Sequence, residues 1–183
     1  MDRLKRASIL LSLVEQLRER GSWCGETHIQ KGTFLLQEML GVPLEMEFVL
    51  YKHGPYSFDL NEQLSWFKAD GILEEEVMPY PYGPKIAPGK LAGQIREKYP
   101  NTRARYDAQV RFVAERLGDN KVAELERLAT ALFITKREMP VADIEARAQR
   151  LTALKPHVAL EDAREAVEQI DLMMTEAARI ATA

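Results

Sequence analysis

Three side chains in this sequence could meet at a metal ion: Cys24 and His28, four residues apart, and His53 beside a tight turn. Thiolate and imidazole are zinc ligands, but a closed zinc site takes four of them at recognisable spacing, and a fourth is missing. No metal and no other cofactor is therefore expected. His53 could act as a base or pH sensor; its plainer role is a ring hydrogen-bonded to nearby backbone. Three histidines in 183 residues leave little for acid–base work. No Gly-x-Ser-x-Gly elbow, Walker phosphate loop or dinucleotide glycine fingerprint occurs. The expectation is a protein without enzymatic activity.

What remains is chemistry of recognition. Arg3, Lys5 and Arg6 open the chain, and Arg96, Lys98, Arg103, Arg105, Arg111 and Arg116 crowd the stretch 96–116 against Glu97, Asp107 and Glu115, a net of +3. Brought together they would make a phosphate-facing patch; apart, they are a charged helix face. Tyr80 and Tyr82, held among three prolines, could be rigid interface aromatics or could pack back onto the body. Glu74-Glu75-Glu76 reads as a solvated strand edge. A net charge of −3 argues mildly against non-specific nucleic-acid binding.

These groups need elements to position them. Leu4, Ile9, Leu11, Leu13, Val14 and Leu17 predict an amphipathic helix over 2–20, stopped at Gly21. Thr27 and Gln30, at capping-box spacing, open a second helix that ends at Gly41 and Pro43. Leu44, Met46, Phe48 and Leu50 alternate as in a short strand or extended segment. Tyr51-Lys52-His53-Gly54-Pro55-Tyr56-Ser57 follows: Gly54-Pro55 is expected to force a sharp turn, and Ser57 to cap the next helix. Leu60, Leu64 and Phe67 give that third helix its inward stripe, closed by Asp70-Gly71. Strands over 72–78 and 85–87 then flank a proline-rich loop, 79–84.

The order helix, turn, helix, hairpin predicts a winged helix-turn-helix over 1–90. A helical region over 91–183 follows, with helices near 103–117, 121–138, 141–153 and 160–180, Leu125, Leu128, Leu132 and Phe133 forming its strongest apolar stripe. The predicted class is α+β, mostly α. Leu160, Ala163, Val167, Ile170, Met173, Met174 and Ala177 could line the last helix for internal packing or for a homodimer seam. One cysteine excludes an internal disulfide framework. No apolar run approaches the roughly 20 residues needed to span a bilayer. The basic start before Ile9-Leu10-Leu11 lacks a cleavage site, so a cytoplasmic protein is expected.

Ile29-Gln30-Lys31-Gly32-Thr33-Phe34-Leu35-Leu36, taken with Tyr51 to Ser57, resembles the uncharacterised bacterial YwgA-like family, and more distantly the Panacea (SocA-like) antitoxin domain. The likeness covers about the first ninety residues, and Leu154-Lys155-Pro156-His157 before the Glu161-Asp162-Ala163-Arg164 helix also fits the YwgA-like pattern. Gly32 and Thr33 depart from an apolar pair in the Panacea pattern. The resemblance implies a winged-helix-like bacterial protein, regulatory or linked to defence, and brings no catalytic residue.

Two roles follow as expectations. One is a regulator that binds double-stranded DNA as a homodimer, with Arg3, Lys5, Arg6, Lys52, Asn61, Gln63, Lys68, Arg103 and Arg105 toward the nucleic acid. Asn61 and Gln63 could read adenine from helix three, although residues 57–70 carry a net −2, which opposes phosphate binding. The other is an antitoxin-like adaptor that grips a partner protein through Tyr80 and Tyr82, with His53, Gly54, Pro55, Tyr56 and Ser57 as the structural turn.

Overall fold

A computed structural model describes residues 1–181 of the chain. Helix α1 (Arg3–Glu19) starts where the Asp2 carboxylate accepts from the N–H groups of Leu4 and Lys5. The amphipathic pattern expected of it is not what forms. Residues 7–14 are buried without interruption, because α1 is a central post with neighbours on several sides. Helix α2 (Glu26–Glu38) begins without a side-chain cap; Gln30, expected in a capping box, is used elsewhere.

After α2, residues 42–48 run extended. Val42, Leu44, Met46 and Phe48 are buried and the residues between them exposed. Among the described residues no ladder partner holds this segment. Side chains do so instead: Gln37 donates to the Met46 carbonyl at 2.9 Å and accepts from its N–H at 2.8 Å, and Arg137 donates to the Phe48 carbonyl at 2.6 Å. This answers the demand of buried backbone polar groups for partners. Strands β1 (Val49–Tyr51) and β2 (Gly54–Tyr56) then form an antiparallel hairpin with Tyr51 opposite Gly54. The reversal lies at Lys52-His53, not at Gly54-Pro55, which belong to β2.

Helix α3 (Phe58–Ala69) is capped by Ser57, whose Oγ accepts from the Leu60 N–H at 3.1 Å. Leu60, Leu64 and Phe67 are its buried stripe, as the spacing predicts. A second hairpin, β3 (Leu73–Glu76) with β4 (Lys85–Pro88), encloses the loop 77–84. The Ile86 N–H donates to the Cys24 carbonyl at 2.8 Å, tying β4 to the α1–α2 connection.

The second half is helical: α4 (Ala92–Lys98), α5 (Pro100–Leu117), α6 (Val122–Phe133), a π-helical turn over Ile134–Glu138, α7 (Ile144–Leu154) and α8 (Leu160–Ala181). Helix α4 had no counterpart in the predicted pattern, and the single helix expected over 121–138 changes to π geometry after Phe133. The protein is thus mostly helical, with two small antiparallel sheets. One hydrophobic cluster runs through both halves, from Leu10 and Phe34 to Leu132 and Ile170, with α1 against α5 and α2 against α6. On α8, Ala163, Val167, Ile170, Met173 and Ala177 are buried in this core against α5, α6 and α7. That stripe is consumed inside the chain and is not free as a dimer seam. None of the described helices is long and apolar enough to cross a membrane.

Candidate functional site

The β1–β2 hairpin is clamped from beneath by polar side chains of α2. Gln30 donates to the Ser57 carbonyl at 2.9 Å and accepts from the Ser57 N–H at 3.0 Å. Lys31, only 2% exposed, donates from Nζ to the Pro55 carbonyl at 2.8 Å. Burial pushes the Lys31 ammonium down to about 8, with nearby Glu126 opposing and Lys155 adding to the shift. Gly54 has φ +84°, and a Cβ there would lie 2.9 Å from Thr130 Oγ1 on α6. The segments 29–36 and 51–57 are therefore one interlocked unit. Sequence reading missed Gln30 and Lys31 in this role; polar residues inside an apolar helix stretch were the available signal.

Around this unit lies a surface rich in aromatic rings. Tyr51, Tyr56 and Phe58 form a mutual cluster with centroids 5.0–5.9 Å apart, and Tyr51 and Phe58 are exposed. Tyr56 donates its hydroxyl to Glu26 Oε1 at 3.1 Å. Burial and the Glu26 charge push that phenol up to about 12. Glu26 in turn borders a cleft of about 280 Å³ between the start of α2, helix α3 and the 77–84 loop. Leu64, Pro84 and Ile86 supply apolar lining, and Asn61, Lys68 and Glu75 the polar groups. On the loop side Tyr82 packs on Trp23 at 5.1 Å, and Lys85 stands over the same indole at 4.5 Å. The two loop tyrosines divide the roles foreseen for them: Tyr80 is 98% exposed, whereas Tyr82 leans on Trp23 and still keeps 61% of its surface in solvent.

The residues expected to face nucleic acid do not assemble into one patch. Gln63, expected on the outer face of α3, is 8% exposed and donates to Met46 Sδ at 3.6 Å, so it cannot reach a base edge. Asn61 is half-buried at the cleft. Arg3 is paired with Asp70, Lys68 with Glu75, and Lys5 with Asp2 at 3.4 Å. Arg6 donates to the Met1 carbonyl at 2.8 Å beside Glu45. On α4 and α5, Arg96 and Arg103 both close on Glu15, at 2.7 and 2.6 Å, while Arg111 and Arg116 pair with Asp107 and Glu176. Arg105 lies over the Tyr106 ring at 5.4 Å and Lys52 is exposed at the hairpin tip. Each paired guanidinium has its charge largely answered within the chain.

The three metal-ligand candidates are apart in role. Cys24 is buried, its thiol pointing to the Val14 carbonyl at 3.8 Å and pushed up to about 12 by desolvation. Burial lowers the His28 imidazole, against a backbone hydrogen bond to Asn120. The exposed His53 ring sets Nδ1 3.0 Å from Glu126 Oε1, so its partner is a carboxylate and not the backbone expected. Among the described residues no three His, Cys, Asp or Glu side chains gather closely enough to hold an ion. No family model matches this sequence, and no curated protein matches it.

Proposed function

We propose that this protein is a non-enzymatic, antitoxin-like adaptor whose winged-helix-type body grips a partner protein at the aromatic-rimmed cleft. One observation carries the reading: Trp23 lines the cleft with Tyr82 packed on it, the Tyr51–Tyr56–Phe58 cluster is tied to the cleft's edge by the Tyr56–Glu26 hydrogen bond, and Tyr82, Tyr51 and Phe58 are largely exposed. Tyrosine and tryptophan are the side chains most enriched where proteins bind one another, since they bury large area with little loss of rotamer freedom. The apolar lining suits one apolar side chain of the partner, and Asn61 and Glu26 at the edge suit its backbone.

A photoreactive side chain at position 82 or 58 should cross-link to one protein in the native host, and the same group at position 172 on α8 should not. With that partner purified, Trp23→Ala together with Phe58→Ala is expected to weaken binding at least tenfold, about 1.4 kcal/mol. Undiminished affinity in the double variant would refute the reading.

The second reading, a dimeric DNA-binding regulator, draws on Lys52 and Arg105, which have no carboxylate partner within 4.0 Å among the described residues. It requires duplex binding at about 50 mM salt that falls linearly on a log–log plot as salt rises. Absence of binding there ends it.

A further inference from the structure

A separate concavity of about 620 Å³ opens beside the tip of the β1–β2 hairpin. Lys52 and His53 come to it from the tip, Lys155 and His157 from the joint between α7 and α8, and Val122 and Ala123 from the first turn of α6. We propose that this groove binds the phosphate group of a small phosphomonoester.

Lys155 decides the chemistry. It is 8% exposed, and its Nζ donates to the Lys52 carbonyl and to no other acceptor among the described residues. That leaves two of three ammonium donors to be answered. A sequestered ammonium without a counter-charge is costly, and a site usually supplies one. No carboxylate lies within 4.0 Å of Lys155 Nζ among the described residues. Glu126 lines the groove and meets the His53 ring at 3.0 Å, and Asp162, next to the groove, takes Arg127 at 3.6 Å. Lys52 adds a second amine and His157 an exposed imidazole, neither with a charged partner among the described residues.

The α6 wall adds backbone donors. The N–H groups of Val122 and Ala123, at the first positions of a helix, have no intrahelical acceptor. Lysines acting as point charges beside such groups suit the several oxygens of a phosphate. A planar carboxylate would be better met by an arginine fork. Lys52 and Lys155 bring two positive charges against the one negative charge of Glu126, which leaves the groove cationic, and its openness leaves room for the group that carries the phosphate.

Calorimetric titration of the full chain with inorganic phosphate, adenosine monophosphate, adenosine and a dinucleotide diester tests the assignment. The first two should saturate with a Kd near or below about 1 mM, and adenosine should not bind. Lys155→Met should weaken both phosphate probes at least tenfold. Lys52→Ala, on an exposed side chain that a fold defect cannot confuse, should weaken them severalfold, and the His157 imidazole resonances should move on saturation. No saturation by either phosphate probe, unaltered binding in Lys52→Ala, or a diester that binds as tightly as the monoester would each overturn it.

Discussion

The two hairpins of this protein are written in nearly the same residues. One tip reads Tyr-Lys-His-Gly-Pro-Tyr-Ser and the other Pro-Tyr-Pro-Tyr-Gly-Pro. Their surroundings are opposite. The first is held by Gln30 and Lys31 from α2, by Lys155 from the α7–α8 joint and by contact of Gly54 with α6. The second projects: Val77 and Tyr80 are almost fully exposed, and a Cβ on Gly83 would meet nothing within 4 Å. Turn chemistry is local and both segments make turns. Whether a turn becomes a fixture or a free surface is decided by residues far away along the chain: they hold the first hairpin at its tip, whereas Trp23 and Cys24 hold the second beside Tyr82 and Ile86 and leave Val77 and Tyr80 free.

The sharpest break of this contrast is at the glycines. Gly54→Ala places a Cβ against Thr130 and Glu126 at a positive φ, and should cost about 3 kcal/mol from strain and overpacking combined. Gly83→Ala should fall within about 0.5 kcal/mol of wild type. Urea unfolding of the pair measures both.

Next in size is the pH dependence carried by Lys31. A lysine in the unfolded chain holds its proton to 10.5, whereas the buried one releases it near 8. Between these values the unfolded chain binds more protons, so this group makes stability rise with pH. Relative to Lys31→Met, wild type should gain about 2 kcal/mol from pH 8 to pH 10, at 1.36 kcal/mol per pH unit. The Cys24 thiol works the other way, because its value rises from 9.0 unfolded to about 12 folded. That contribution is common to both proteins and cancels in the difference. A flat difference across this range would mean that Lys31 is not sequestered as described.

Much of this contrast was open to sequence reading, and the remainder was closed to it for a physical reason. Ser57 as a cap, the Leu60–Leu64–Phe67 stripe and the strands around the proline-rich loop depend on neighbours within a few residues, and they form where predicted. Gln30 and Gln63 were misplaced, and the alternatives for Arg96 and Arg103 stayed open, because their partners lie far off: Ser57 for Gln30, Met46 for Gln63, Glu15 for both Arg96 and Arg103. Helical periodicity says which face is apolar. It does not say that a buried glutamine will meet an unpaired strand end, or that a guanidinium will find a carboxylate on another helix. For the candidate site, the tyrosines of the loop were visible as residues, but Trp23 became part of a cleft, and Phe58 part of an aromatic cluster beside it, only through packing.

A smaller effect separates the helices that follow the two hairpins. Helix α3 is opened by the buried Ser57 hydroxyl, whereas α4, after the second hairpin, begins at Leu91 with no side-chain cap. Ser57→Ala should therefore cost about 1 kcal/mol, measured by thermal unfolding, and Leu91 has no equivalent bond to lose. A loss well below this would show that the Gln30 clasp on the Ser57 backbone holds the start of α3 by itself.

The finest test lies within the projecting loop, where two tyrosines two residues apart differ in what they touch. Tyr80 contributes almost no buried area, so Tyr80→Ala should leave stability within about 0.5 kcal/mol of wild type. Tyr82→Ala removes a ring contact with Trp23 at 5.1 Å and should cost about 0.5–1 kcal/mol, the usual worth of an aromatic pair. The order reverses if affinity for a partner is read instead of stability and Tyr80 alone is buried by that partner. A ring that adds nothing to the fold has its whole surface to give to binding, whereas Tyr82 has already given part of its own to Trp23. Equal effects of the two substitutions on both readouts would mean that the loop behaves as one unit, and the distinction between a braced ring and a free one would fall.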